Sequence, residues 1–133
     1  MQKFLWSSDM PKRINSPTKG DARLVEGFSF VTFFSEPVIM EAERVSHVNR
    51  HFKTHQELAI RRALATPLLV TYSHQEPSCQ LYFGWEAHPD YPGLYVKVVI
   101  NYGYSPATVI TAMITDKPRK SELGGGIRYD IRT

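Results

Sequence analysis

Apolar and polar positions change their period twice along this chain. Residues 28–34, Phe-Ser-Phe-Val-Thr-Phe-Phe, are rich in aromatic and β-branched side chains and predict a first strand, which Pro37 ends. From Glu41 the apolar positions Ala42, Val45, Val48 and Phe52 recur at three- and four-residue intervals, the stripe of an amphipathic helix. Thr54 and Glu57 form a capping-box pattern that starts a second helix through Leu58, Ile60 and Leu64. Thr66-Pro67 stops it, because the residue before proline is driven out of the α region.

Beyond Pro67 the period becomes two. Residues 68–73, 79–86, 94–101 and 108–115 predict four strands joined by short proline- and glycine-containing turns, hence an antiparallel meander. The expected fold class is α+β, with N-terminal helices packed on a four-stranded antiparallel sheet. Residues 1–24 read as an irregular basic arm and 25–120 as one domain. Residues 121–133 read as a Gly-rich tail whose 127–132 stretch alternates as a small edge strand would.

Composition narrows the class. The chain has 133 residues, 42% hydrophobic and 22% charged, which suits one globular domain and argues against wholesale disorder. No apolar run approaches the ~20 residues of a membrane span, and the N-terminus has no secretory apolar core, so a cytoplasmic location and no membrane partner are expected. The single Cys79 can form no intramolecular disulfide and reads as a buried strand thiol. Net charge is +3, a mild excess that suits a polyanionic partner. Its distribution is uneven: between Leu68 and Thr115 the only Lys or Arg is Lys97, so cations should gather on the flanks of the sheet.

Two segments carry candidate chemistry. His47 and His51 are one helical turn apart, with Arg44 and Arg50 beside them, so groups able to move protons or hold phosphate share one surface. The bland alternative is a solvated polar face. A zinc site is disfavoured: His55 falls on the next helix, the glutamate of an H-E-x-x-H motif is missing, and an arginine beside the pair would repel a divalent ion. The other segment, 116–120, places Lys117, Arg119 and Lys120 directly after the last strand, where they can hold a phosphate or simply solubilise a loop. The strand aromatics, Tyr82, Phe83 and Trp85 among them, offer stacking surfaces but more commonly pack across strands. No phosphate-binding glycine loop, nucleophile elbow or plausible cysteine nucleophile is present.

The order of these pieces over residues 38–120 resembles the phage-type barnase-EndoU-colicin-RelE-like (BECR) nucleases: a histidine, an Arg-His pair, a proline-ended helix, and a final I-T-A strand running to T-D-K. That resemblance implies metal-independent endoribonuclease activity with no cofactor, in which the ribose 2′-hydroxyl attacks the adjacent phosphate. Carried over, it implies catalytic roles for His47, Arg50, His51 and Thr111, and substrate contacts from Tyr82 and Lys117, with Arg44 and Arg119 adding charge. Histidine suits either proton-transfer role near neutrality, while cations stabilise the phosphorane-like transition state. Phe52 stands where the family pattern has proline, which leaves open which histidine acts as acid and which as base. RNA is the implied partner, with an antitoxin or inhibitor protein as a further one. The alternative expectation is a non-catalytic RNA- or protein-binding module.

Overall fold

Alternation between Leu69 and Thr115 decides most of the architecture, because each strand there presents one apolar row to a pair of helices. The computed structural model describes residues 27–48, 56–85 and 93–133. In chain order these form β1 (Phe28–Val31), β2 (Pro37–Met40), α1 (Ala42–Val48), α2 (Gln56–Ala65), β3 (Leu69–Tyr72), β4 (Cys79–Trp85), β5 (Tyr95–Asn101), β6 (Ala107–Thr115), α3 (Lys120–Leu123) and β7 (Ile127–Asp130). All seven strands join one sheet in the order β1-β2-β6-β5-β4-β3-β7.

The expected helices on a four-stranded antiparallel sheet are therefore corrected to a seven-stranded mixed sheet with three short helices. The period-two segments do form β3 to β6, and these pair antiparallel in sequence order. Two strands precede the helices, however, and β2 pairs with β6 in parallel, Val38 opposite Ala107. Pro37 does not end a strand; it begins one, paired with Val31, in the first-residue position where a missing N–H is tolerated. Helices are not confined to the first half either, since α3 follows β6.

Within the segment read as a Gly-rich tail, the alternating stretch does form an edge strand, β7, which pairs with β3. Glycine is what permits this. A Cβ on Gly125 would lie 2.1 Å from the carbonyl oxygen of Tyr72, and Gly126 adopts φ 102°, so neither position accepts an ordinary side chain without strain.

The sheet has two unlike faces. On one, Tyr82, Val96, Val98 and Ala112 pack against Ala59, Ile60, Ala63 and Leu64 of α2 and against Val45 and Val48 of α1, forming the main core. Gly84 of β4 lets α2 approach closely, since a Cβ there would meet Ala63 at 2.9 Å. The alternate residues Leu69, Leu81 and Phe83 form a second, smaller cluster with Tyr95 and Val99 on the other face. Burying each large core side chain contributes roughly 1.5–3 kcal/mol, so the helix face supplies most of the driving force for folding. Cys79 opens β4 and is buried, and burial raises its thiol pKa.

Candidate functional site

The residues singled out from the sequence separate onto different parts of this frame. Arg44 and His47 lie on α1, three residues apart and both half-buried. The Arg44 guanidinium reaches the carbonyl oxygen of Ile110 at 3.4 Å, beside the irregularity in the β5–β6 register. Arg50, His51, Thr54 and His55 lie outside the described residues. Tyr82 is 0% exposed and part of the main core. Thr111 pairs with Val99, so its side chain stands on the face of the sheet away from α1 and α2. Lys117 and Arg119 are exposed in the segment after β6. One sheet thus lies between His47 and Thr111, and Tyr82 offers no surface to a ligand.

A polar cluster that no local pattern announces occupies the helix face near the β1–β2 turn. Glu36 accepts from Arg128 at 2.7 Å and from the Tyr102 hydroxyl at 2.7 Å. Tyr102 gives its one proton to Glu36, so the 2.7 Å contact between the two tyrosine hydroxyls is donated by Tyr82. Arg128 also donates to Gln80 at 2.8 Å and stacks 3.6 Å from the Phe34 ring centroid. The turn itself is tied by Thr32, whose Oγ1 accepts from the amides of Phe34 and Glu36 while Ser35 takes φ 64°.

The titration of these groups points away from acid–base catalysis. Burial raises the Glu36 pKa, but hydrogen bonds from Arg128 and Tyr102 outweigh it and hold the carboxyl below its ordinary range. Burial pushes both tyrosines up, Tyr102 the further because the bond it donates to the Glu36 carboxylate adds to the effect. Arg128 is raised despite burial by the bond to Glu36. At neutral pH the cluster is a carboxylate, two phenols and a guanidinium, each held away from the pH at which it would exchange a proton. It clasps the last strand to the first hairpin.

The other face of the sheet presents different chemistry. Lys97 projects from β5 between Val96 and Val98, which point into the main core, and its ammonium meets Glu122 of α3 at 2.6 Å. The other Glu122 oxygen accepts from the Arg119 amide at 2.9 Å. Burial raises the Glu122 carboxyl, yet the bonds from Lys97 and Arg119 bring it below its ordinary range. Around this pair Lys117, Arg119 and Lys120 are exposed, and none forms a side-chain ion pair among the described residues, although the Arg119 charge also favours the Glu122 carboxylate. Arg61, Arg128 and Arg132, by contrast, are each ion-paired.

Among the described residues no three His, Cys, Asp or Glu side chains gather closely enough to hold a metal ion, and no helix is long and apolar enough to cross a membrane. Comparison of the chain with known protein families, with characterised proteins and with solved structures finds no match.

Proposed function

We propose that this chain binds RNA through the cationic segment that follows β6. The observation that supports this reading is the grouping of Lys117, Arg119 and Lys120 within four residues, exposed and in no side-chain ion pair among the described residues. Such a group attracts a phosphate backbone by Coulomb energy and counterion release, without need of a preformed pocket. RNA, rather than another polyanion, follows from the resemblance to the nuclease family. Cleavage by that chemistry is a second reading, favoured by Arg44 and His47 lying three residues apart on α1. In it one histidine takes the 2′-hydroxyl proton and another group protonates the leaving 5′-oxygen. This reading leaves out Tyr82 as a substrate contact, since it is buried, and Thr111 as a catalytic group, since it stands on the opposite face from α1.

A labelled single-stranded RNA titrated at several salt concentrations, with chelator present, tests both readings. Wild type should bind with a clear salt slope, and K117A/R119A/K120A should flatten that slope by about 2, at ~0.7 for each phosphate no longer neutralised. If the protein also cleaves, His47→Ala should slow turnover by roughly 100-fold while binding barely changes. Wild-type protein that binds no RNA at low salt refutes the proposal. Binding without cleavage removes the second reading alone.

A further inference from the structure

We propose that Glu122 is an internal competitor of the RNA backbone: it occupies Lys97 in the free protein, and a bound phosphate displaces it. This rests on the RNA-binding reading and names a residue that tunes it.

Lys97 is an unusual occupant of its position. It is the only Lys or Arg between Leu68 and Thr115, set in the middle of a seven-residue strand whose neighbours on either side are core valines. Its side chain is 17% exposed and that of Glu122 15%, so both charges have lost much of their water. A half-buried ion pair of this kind rarely stabilises more than a hydrophobic pair of equal volume would, so stability alone gives weak reason for a lysine there.

The partner side is equally telling. α3 is a four-residue helix that buries none of its residues, and Leu123 is 38% exposed. Little apolar contact therefore holds α3 over the sheet, and the Lys97–Glu122 ion pair ties it to β5. A phosphate that took Lys97 would break one ion pair and expose little apolar surface. Lys117, Arg119 and Lys120 concentrate such an anion beside the pair, and Lys97 becomes a fourth cation available to it. Met113 lies opposite Lys97 on β6 and Phe83 opposite it on β4, so the ammonium stands on the face away from α1 and α2, at the smaller apolar cluster and not in the main core.

Glu122→Gln tests this directly, because the amide oxygen can still accept from the Arg119 N–H while the ion pair with Lys97 is removed. The probe is the same single-stranded RNA, titrated across salt. Glu122→Gln should bind about three- to tenfold more tightly than wild type with a slope steeper by about 0.7, and Lys97→Gln/Glu122→Gln should return both to wild-type values. Glu76→Gln, which makes the same change in net charge at an exposed turn, sets the effect of charge alone. An affinity gain in Glu122→Gln no larger than in Glu76→Gln overturns the inference while leaving the RNA-binding reading intact. Absence of binding by both wild type and Glu122→Gln sinks the two together. Should Glu122→Gln melt before assay temperature, Glu122→Asp, one methylene shorter and of unchanged charge, must show the same direction of change or the inference fails.

Discussion

Removing Arg128 is the most informative perturbation of the fold, because it cuts the clasp between β7 and the β1–β2 turn, 92 residues apart in sequence. Arg128→Ala deletes two bonds to Glu36, at 2.7 and 3.3 Å, one to Gln80 at 2.8 Å, a long one to the Tyr102 hydroxyl at 3.5 Å, and the stacking on Phe34. The side chains of Arg128 and Glu36 are 20% and 31% exposed, which places the pair between a surface bridge worth ~0–1 kcal/mol and a buried one whose breaking costs ~3–5 kcal/mol. Tyr102 still donates to Glu36 in the variant, so the carboxylate is not orphaned. Adding ~1 kcal/mol for the cation over the Phe34 ring gives about 2–3 kcal/mol in all, a fall in Tm on the order of 10 °C for a chain of this length. The pH dependence has a fixed sign. The folded Glu36 pKa is below its ordinary 4.5, so its contribution is complete above that value and is lost as pH falls through the folded value. The gap in Tm between wild type and Arg128→Ala should therefore narrow when the pH is taken from neutral to well below the ordinary carboxyl value. A double-mutant cycle with Glu36→Gln should return a coupling of roughly 1–2 kcal/mol. A Tm loss under about 2 °C, or a gap that is the same at both pH values, would refute the reasoning.

Two other substitutions probe the frame. Gly84→Ala should cost about 1–3 kcal/mol in denaturant unfolding, because its Cβ would press at 2.9 Å on both the Cα and the Cβ of Ala63; adding Ala63→Gly should recover part of the loss, and no loss in the single variant would mean α2 is not seated as described. Tyr82→Phe should lower stability by about 1 kcal/mol by removing the hydroxyl bond to Tyr102, yet leave RNA affinity unchanged, and a binding defect without a stability defect would return Tyr82 to the ligand surface.

The parts of the fold legible in the sequence are those with a local period. β3 to β6 are readable because Leu81/Phe83 and Tyr82/Gly84 alternate between two faces that are both packed, and α2 because Ile60 and Leu64 are one turn apart. Punctuation is what misleads. Proline at 37 reads as a stop, but it stands at the first position of β2, where its ring satisfies the φ of an extended residue and its missing N–H costs little. The glycine run reads as a loose tail, but Gly125 is required where the backbone passes within touching distance of Tyr72 and Gly126 by its positive φ. The parallel joining of β2 to β6 has no local signature at all, since it pairs residues 69 apart, Val38 with Ala107.

Candidate chemistry is legible only where it lies in one contiguous segment. The cations at 117, 119 and 120 can be found from their spacing; the Glu36–Tyr102–Arg128 cluster cannot, because its members come from a turn, a strand end and the last strand. Parity explains the fate of the rest. Thr111 and Ala112 are neighbours in sequence but a strand turns successive side chains to opposite faces, so packing Ala112 against the helices commits Thr111 to the other side. The same rule sends Tyr82 inward once Leu81 and Phe83 are outward. A matching order of residues along a chain thus says less about a shared site than the parity of each residue within its strand. Here parity divides the chemistry: the helix face pairs Glu36 and Arg128 in a closed clasp, while the opposite face carries Lys97, held by a single carboxylate from a helix with no buried residue. Of the two, only the second is arranged so that an incoming anion exchanges one ion pair for another rather than dismantling the core.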